Sequence, residues 1–475
     1  MPSTPRLNTP AGALAAGLLI AGAIALWWVL QRDAGPVLDR VRAQGELVVA
    51  TRQTPAIVYQ GANGLDGFEH ALTQRFAETL GVEIRYVYPK TVEALFNAIA
   101  RGTVHMAAAG LTVTPARERF ARFTEPYQFV TEQLVYRRGS TRPKTLDEID
   151  AGDLHVIKGS SHEETLQQLR AAGYPELEWE GHPAIASEGL LAAVDQGDIR
   201  LTIADSNATA LSQRIFRHTA TAFELGDPRP IAWAFSANTD DSLLQTANRF
   251  LTSLEASGEL RRLRARFFGH TERLNFVDVR DFWRQVRDRL PTLQPLFEQA
   301  AAKTGIDWRL LAAIGYQESH WRQDAVSPTG VRGIMMLTRA TADQVGVEDR
   351  NDPQQSIMGG ARYLRIVEKK IPDRIDPVNR LWFTLAGYNV GFGHLEDARI
   401  LTERDGGNPD LWIDVKQRLP LLAQKKYYRT VRYGYARGSE PVNYVDNIRN
   451  YYDLLVWFTT TDDRETRARL LAAES

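Results

Sequence analysis

The sequence predicts a multidomain protein in which a two-lobed α/β domain is followed by an all-α domain. From Gly45 onward, short apolar strands alternate with amphipathic helices, which is typical of a mostly parallel sheet covered by helices. From Leu293 to the end of the chain the strand patterns stop and helical periods dominate. A chain of 475 residues is long enough for two or three domains, each with its own core.

The composition excludes several classes of function. The chain carries 57 basic and 58 acidic side chains, a formal net charge of -1, so no overall field favours nucleic acid as a partner. It contains no cysteine, which excludes disulfides, thiolate zinc sites and cysteine nucleophiles. An H-E-x-x-H zinc motif and a P-loop are also missing from the sequence, and we therefore expect neither a metal nor a cofactor.

The first predicted element is a membrane segment. Residues Ala11 to Leu30 are uncharged and mostly apolar, and about 20 such residues just span the hydrocarbon core of a bilayer. Arg6 precedes the segment, which favours export of everything after Gln31. The alternative is a cleaved signal peptide with its small-residue site at Ala21 to Ala23. We assign residues 1–35 to a signal peptide or membrane anchor.

The α/β domain begins with two βαβ units. The predicted elements, in order, are a strand at Glu46 to Arg52, a helix at Phe68 to Gly81, a strand at Val82 to Pro89, a helix at Val92 to Arg101 and a strand at Val104 to Gly110. A longer extended stretch from Tyr127 to Arg138 introduces a second α/β series. We therefore expect two lobes that close a cleft through a hinge.

One element of this domain carries a family resemblance. The stretch GLTVTPARERFARFTEPY, from Gly110 to Tyr127, resembles the T-x-x-R…F-S-x-P-Y element of the family-3 periplasmic solute-binding proteins. The resemblance implies that Arg117 binds a ligand carboxylate, a task that suits the guanidinium fork. It also implies that backbone N–H groups at Ser160 and Ser161 bind the same carboxylate. Asp205 matches the position expected to hold an ammonium group.

The ligand of this first domain is left open by the sequence. Ala71 stands where the family usually has an aspartate, and the stretch from Thr54 to Gln60 lacks the usual proline-aromatic pair. We therefore expect an amino-acid-like ligand, a peptide or muropeptide, or a degenerate site. In the alternative interpretation Arg117 pairs with a neighbouring glutamate on a solvated face, and Asp205 only caps a turn.

The all-α domain contains a candidate catalytic carboxyl group. A charged connector follows Gly269, and we place the α/β domain at residues 36–268 and the all-α domain at 269–475. On the second helix after Leu293, Leu311, Ile314 and Glu318 recur at helical spacing and share one face. An inward-facing Glu318 would be desolvated, with its pKa raised above the ordinary value of about 4.3. The alternative is a surface ion pair between Glu318 and Arg322.

Four motifs follow in order. They are ESHW at Glu318, SPTGVRGIMML from Ser327, LAGYN from Leu385 and NYVDNI from Asn443. Together they resemble the motifs of family-23 lytic transglycosylases, which have a goose-type lysozyme-like fold. The resemblance implies that Glu318 is the catalytic acid and base. It also implies substrate contacts from Ser319, Gly333, Met335, Tyr388, Asn389 and Tyr444. Met336 departs from the family pattern, which has a glutamine there.

The function that this resemblance implies is cleavage of peptidoglycan. The bond cut is the β-1,4 bond between N-acetylmuramic acid and N-acetylglucosamine, and the product carries a 1,6-anhydromuramoyl end. Two alternatives remain, a muropeptide-binding sensor with an inactive glycan-binding domain and a lysozyme-type hydrolase. The protein is expected to face the periplasm, on the inner leaflet of the outer membrane or anchored in the inner membrane by Ala11 to Leu30.

Overall fold

The structure is a computed structural model that describes residues 35–61, 64–184, 186–213, 215–216, 218–269 and 276–460. The predicted membrane segment, Ala11 to Leu30, lies outside these residues. Among the helices that are described, none combines the length and the apolar character that a membrane crossing requires. The described chain divides into two compact units.

The first half of the chain is built of alternating strands and helices. Its helices, in chain order, are α1 (Val37–Gln44), α2 (Phe68–Leu80), α3 (Val92–Ala100), α4 (Ser161–Ala172), α5 (Glu188–Gln196), α6 (Ser206–Ser212), α7 (Ser242–Ala256) and α8 (Glu259–Phe267). Its strands are β1 (Glu46–Ala50), β2 (Tyr59–Gly61), β3 (Gly64–Asp66), β4 (Glu83–Val87), β5 (Met106–Thr112), β6 (Ala121–Phe123), β7 (Gln128–Arg137), β8 (Leu154–Ile157), β9 (Glu180–His182), β10 (Leu201–Asp205) and β11 (Thr219–Ser236). The strands and helices predicted before Arg138 are therefore confirmed to within two residues at each end.

The first compact unit contains the described residues up to Thr51, Leu72–Gln128 and Pro230–Ala256. Its sheet has the order β4, β1, β5 and the second part of β11. β1 pairs in parallel with β4 and β5, whereas β11 runs antiparallel to β5 and β6. The strands β1 and β5 are almost wholly buried, as expected of central strands covered by helices.

The second compact unit contains Arg52–Ala71, Phe129–Arg229 and the described residues from Ser257 on. Its sheet has the order β11, β7, β10, β8 and β9, with β9 at the edge. β8 pairs in parallel with both β9 and β10, and β10 runs antiparallel to β7. The all-α part of the chain lies entirely in this unit. The predicted domain boundaries at 35/36 and 268/269 stay predictions.

In the described residues of the all-α part every named element is a helix, which confirms the prediction that strands do not continue into it. Its helices are α9 (Phe276–Asp288), α10 (Leu290–Thr304), α11 (Trp308–Ser319), α12 (Arg339–Val345), α13 (Pro353–Glu368), α14 (Pro377–Val390), α15 (Phe392–Arg404), α16 (Trp412–Val415), α17 (Lys425–Tyr428) and α18 (Ser439–Thr460). The long helix α18 packs against both α11 and α14, so residues from these three helices can meet in the core.

Helix starts in this region are encoded by their capping residues. Asp307 caps α11 by accepting the backbone N–H of Arg309 at 2.9 Å, and Asp376 caps α14 by accepting two backbone N–H groups at 3.1 Å. Pro377 occupies the first turn of α14, where its missing N–H costs no hydrogen bond. These caps fix the residues at which α11 and α14 begin, and therefore also the position of the last turn of each helix.

Candidate active site

Glu318 lies in the last turn of α11, beside apolar residues. Leu311 and Ile314 are fully buried, which confirms that this face of the helix points inward. The helix ends one residue later because His320 and Trp321 both adopt positive φ angles, 52° and 57°. The Trp321 indole N–H donates to the carbonyl oxygen of Ala312 at 2.8 Å and anchors the chain after this reversal. Glu318 thus sits at the end of a helix whose inner face is buried, and its own side chain remains partly exposed.

The carboxyl group of Glu318 accepts one short hydrogen bond. The hydroxyl of Tyr444, on α18, donates to Glu318 Oε1 at 2.6 Å. Burial raises the pKa of Glu318 to about 7, although the hydrogen bond from Tyr444 opposes that rise by favouring the charged form. Burial and the nearby Glu318 charge hold the pKa of Tyr444 well above its ordinary value, so the phenol remains a hydrogen-bond donor. A carboxyl group with this pKa exchanges its proton readily near neutral pH.

Two further tyrosines support this pair. The rings of Tyr388, on α14, and Tyr444 stack with their centroids 6.4 Å apart, and Tyr363 packs edge-on against Tyr388 at 5.3 Å. The hydroxyl of Tyr388 donates to the carbonyl oxygen of Met335 at 3.2 Å. The motifs on α11, α14 and α18, which are far apart in the sequence, therefore meet at Glu318.

The surface ion pair between Glu318 and Arg322 does not form. The helix stops at Ser319, so Arg322 has left the helical position that an i,i+4 pair requires. Its guanidinium Nε donates instead to the carbonyl oxygen of Ser319 at 3.3 Å. Among the described residues, no charged group contributes to the pKa of Glu318, which is set by burial and by the hydrogen bond from Tyr444.

Ser319 was predicted to contact the carboxylate or the substrate, and the structure directs its hydroxyl elsewhere. The buried hydroxyl lies 2.9 Å from the carbonyl oxygen of Ile334 and 3.2 Å from that of Gly315. A hydroxyl has a single hydrogen to share between these acceptors. Ser319 therefore ties the end of α11 to the turn that contains Ile334, and a direct role in substrate binding stays a prediction.

Gly333 is required by the packing of that turn. It adopts φ +82°, and a Cβ atom there would lie 1.8 Å from the carbonyl oxygen of Arg350 and 2.8 Å from Ser356 Oγ. Gly330 has a similar φ of +80° but open space around it. Gly333 was predicted to contact the substrate. The structure shows that for Gly333 the obstructing groups belong to the protein itself.

Met335, which was predicted to contact the substrate, and Met336, which departs from the family pattern, have different surroundings. Met335 is fully buried, and its side chain fills the space that a Cβ on Gly360 would occupy, 2.6 Å from Met335 Cε. Met336 is the partly exposed one and adopts a positive φ of 46°. Met335 thus contributes its carbonyl oxygen, which accepts from Tyr388, rather than its side chain. Asn389, at the end of α14, is exposed.

In the first compact unit, Arg117 is buried rather than solvated. Only 4% of the residue is exposed, so the expected alternative of a pair on a solvated face does not hold. Its Nη1 donates to the carbonyl oxygen of Thr112 at 3.0 Å, and its guanidinium lies 5.3 Å from the ring centre of Phe96. The neighbouring Glu118 and Glu125 are exposed. Arg117 is thus a pre-positioned cation in a short 3-10 turn.

In the second compact unit, the other predicted ligand residues gather at one end of β8 and β10. Ser160 caps α4 by accepting the N–H of Glu163 at 3.3 Å, and Ser161 opens that helix. Asp205, the last residue of β10, lies 3.1 Å from Nε2 of His162. Burial lowers the pKa of His162, but the charge and hydrogen bond of Asp205 outweigh burial and raise it overall. The imidazole of His162 therefore already occupies one side of the carboxylate predicted to hold a ligand ammonium.

Sequence reasoning missed three residues around these sites. Ser356, fully buried, accepts the backbone N–H of Met335 at 3.2 Å and supports the turn. Tyr363 orients Tyr388 through ring packing, and His162 pairs with Asp205. No motif marks Ser356 or Tyr363 in a single sequence. His162, directly after Ser160 and Ser161, was close enough to the predicted turn to be considered.

Two family models match the chain. The model of bacterial extracellular solute-binding proteins, family 3, matches residues 47–270, and that of the transglycosylase SLT domain matches residues 295–408. These matches confirm the predicted fold class, an α/β solute-binding-like domain followed by an all-α transglycosylase domain.

Similar relatives span nearly the whole chain. The chain is 47% identical over 448 residues to the membrane-bound lytic murein transglycosylase F of Ectopseudomonas mendocina, covering 94% of this chain and 91% of the relative. It is 46% identical over 424 residues to the protein of that name from Pseudomonas fluorescens, covering 89% and 87%. Among solved structures, a mutant of ArgBP from T. maritima matches with a TM-score of 0.44 and 21% identity, over 49% of this chain and 99% of that chain.

We predict that Gly333→Ala destabilises the protein far more than Gly330→Ala. Both substitutions place an alanine at positive φ, which costs about 1–2 kcal/mol. Only Gly333→Ala also forces a Cβ against the Arg350 carbonyl, so its total cost should reach at least about 3 kcal/mol. Urea unfolding of the two variants measures both costs. Equal losses of unfolding free energy would show that the turn is not packed as described.

Proposed function

Because the chain belongs to the family of membrane-bound lytic murein transglycosylases F, we propose that Glu318 performs the cleavage of peptidoglycan as both its acid and its base. The chain is a peptidoglycan lytic transglycosylase, a lyase, and glycan strands of peptidoglycan are its substrate. The observation that carries the proposal for Glu318 is its burial at the end of α11 against Tyr444, which raises the pKa of its carboxyl group to about 7.

The first step is protonation of the leaving group. Near neutral pH a large fraction of Glu318 is protonated, and it donates that proton to the glycosidic oxygen as the β-1,4 bond breaks. The N-acetylglucosamine side leaves as an alcohol. The positive charge that develops at C1 of the N-acetylmuramic acid is carried by the substrate's own acetamido oxygen or as an oxocarbenium ion.

The second step uses the carboxylate that the first step leaves behind. Glu318 accepts the proton of the C6 hydroxyl, and the C6 oxygen forms a bond to C1 to give the 1,6-anhydro end. One proton leaves Glu318 and one returns to it, so the enzyme is restored and no water is consumed. Two-carboxylate glycosidases divide these tasks between two residues. One residue can do both only if its pKa lies close to the working pH.

The surrounding residues serve this exchange in different ways. Tyr444 donates to the carboxylate form of Glu318 and so stabilises it after the first proton transfer. Tyr388 holds the Tyr444 ring and the Met335 carbonyl, which fixes the turn from residue 325 to 337 beside Glu318. Asn389, exposed at the end of α14, offers its amide to the sugar. Ser319, Gly333 and Met335 act through the shape of that turn.

For the first domain we propose a ligand with a free carboxylate. The buried guanidinium of Arg117 in the first compact unit supports this. Taken by themselves, the backbone N–H groups at the start of α4 in the second unit, around Ser160 and Ser161, also suit a carboxylate. The contact between His162 and Asp205 favours a ligand without a free ammonium at that position. A muropeptide or another acylated, amino-acid-like molecule has this chemistry.

We propose that the protein works in the periplasm at a membrane. The relatives carry the words membrane-bound in their name, which supports membrane association. The inner leaflet of the outer membrane is the proposed location if the N-terminal segment is processed, and the inner membrane if Ala11 to Leu30 is retained. N-terminal sequencing of the mature protein distinguishes the two.

We predict that Glu318→Gln releases nothing from purified sacculi while folding normally. The amide cannot donate or accept the proton, and loss of general acid-base catalysis costs at least about 10²–10⁴-fold in rate. Mass spectrometry of the soluble products measures the release. Glu298→Gln, an exposed substitution on α10, is the control and should digest like the wild type.

The wild-type products in the same digestion separate the three functions considered from the sequence. Anhydromuramoyl ends support the transglycosylase, reducing ends would indicate a lysozyme-type hydrolase, and no release would indicate a sensor. Turnover at the wild-type rate in Glu318→Gln would mean that the acid lies elsewhere.

We predict that the activity falls as the pH rises through about 7, because Glu318 must begin protonated. The hydrogen bond from Tyr444 lowers the pKa of Glu318, so Tyr444→Phe should move this alkaline limb to higher pH. Tyr388→Phe is the control, because the Tyr388 hydroxyl donates to Met335 rather than to the carboxyl group. The measurement is kcat/KM against pH. A limb that moves to lower pH in Tyr444→Phe contradicts the assignment.

We predict that Arg117→Ala weakens binding of a muropeptide by about 10–100-fold, because hydrogen bonds between charged partners contribute that much to affinity. Calorimetry compares a muropeptide that has free carboxylates with its fully amidated form. Arg119→Ala, at an exposed position of the same turn, is the control and should bind like the wild type. Equal binding by the wild type and Arg117→Ala would refute a carboxylate contact at this residue.

A further inference from the structure

Two histidines and a glutamate meet at the sheet edge of the second compact unit, where β8 pairs with β9, and none of the three belongs to the sites described above. His155 lies on β8, and Glu180 and His182 lie on β9. The parallel register places His155 opposite Glu180, and residues two apart on a strand point to the same face. All three side chains therefore project from one face of the sheet edge.

The three side chains present their ligand atoms to one another. Nδ1 of His155 lies 2.9 Å from Nε2 of His182. The carboxylate oxygens of Glu180 lie 3.6 Å from the first of these nitrogens and 3.8 Å from the second. A hydrogen bond between two imidazoles needs one nitrogen without a hydrogen, so at least one ring offers a lone pair at this place.

We propose that His155, Glu180 and His182 form a binding site for a divalent transition-metal ion, Zn²⁺ in particular. Imidazole nitrogen and carboxylate oxygen are ligands that zinc takes at about 2.0–2.2 Å in a tetrahedral arrangement. Such an arrangement separates any two ligand atoms by roughly 3.3 Å. The observed separations of 2.9, 3.6 and 3.8 Å bracket this value, so small side-chain rotations complete the site.

The site is accessible to an ion from solvent. The side chains of His155, His182 and Glu180 are 13%, 32% and 63% exposed, so the carboxylate reaches solvent while the rings are held by the sheet. Three protein ligands leave the fourth position to water. Because β9 is an edge strand of three residues, a bound ion would also fasten it to β8.

A second group of possible ligands in the same unit is less suited to a metal. Glu132, His162 and Asp205 also lie close together. However, Glu132 Oε1 already accepts from Arg229 Nη1 at 3.0 Å, and a guanidinium repels a cation. Nε2 of His162 is already engaged with Asp205 at 3.1 Å. This group already contains an ion pair with Arg229. The group of His155 has a single carboxylate and, within the part of the chain that the structure describes, no ion pair with a lysine or arginine.

The test is calorimetric titration of Zn²⁺ into the full chain, purified without a histidine tag and stripped with chelator. One Zn²⁺ per chain should bind, and Mg²⁺, which prefers oxygen ligands, should not. His182→Asn and Glu180→Gln should each weaken Zn²⁺ binding by at least about 10–100-fold, because loss of even an outer-shell partner of a metal site has that effect. His218→Gln, at a similarly half-exposed histidine of the same unit, should bind Zn²⁺ like the wild type.

Thermal melts show whether each variant still folds, so that lost binding is not mistaken for misfolding. Saturating Zn²⁺ should raise the Tm of the wild type and of His218→Gln, and should leave the Tm of His182→Asn unchanged. A wild type that binds no Zn²⁺ overturns the proposal. It is equally overturned if Zn²⁺ binding survives His182→Asn, or if His162→Gln abolishes it, since the ion would then occupy another site.

Discussion

The hydrogen bond from Tyr444 to Glu318 is the interaction on which the rest of the catalytic domain depends. It joins two helices that are more than a hundred residues apart in the sequence, and it connects a partly exposed acid to a neutral donor. Burial favours the protonated carboxyl group and the phenol favours the carboxylate. The balance between these two effects keeps both protonation states accessible near neutral pH. An ion pair in place of the phenol would have fixed the carboxylate and removed the acid.

The fold around this pair holds it without adding charge. α18 packs against α11 and α14, so the stacked rings of Tyr388 and Tyr444 stand between rigid helices. The turn from residue 325 to 337 is fastened at Ser319, at Ser356 and by the Arg350 guanidinium, which donates to the carbonyls of Gly330 and Leu337 at 2.9 and 3.0 Å. Each of these contacts ends on a backbone group. The shape of the turn beside Glu318 is thus set by main-chain positions, and Gly333 in that turn tolerates no Cβ without a shift of its neighbours.

Much of this was predictable because it depends on local patterns. The spacing of Leu311, Ile314 and Glu318 predicts an inward carboxyl group with a raised pKa, and alternating strands and helices predict the first domain. What could not be predicted depends on which distant segments the fold brings into contact. Ser319 turns to the Ile334 carbonyl because the turn lies beside α11, and Met335 is buried because Gly360 leaves room for it. Similarly, Asp205 meets His162 only because the end of β10 lies beside the start of α4.

The most direct test of this account is a titration of the Glu318 carboxyl group itself. Infrared difference spectra between the wild type and Glu318→Gln, recorded across the pH range, isolate the carboxyl band of this residue. The account predicts a midpoint at about 7. A midpoint close to 4.5, the ordinary value for a glutamate, would contradict it, because the group could then not hold a proton to donate at neutral pH.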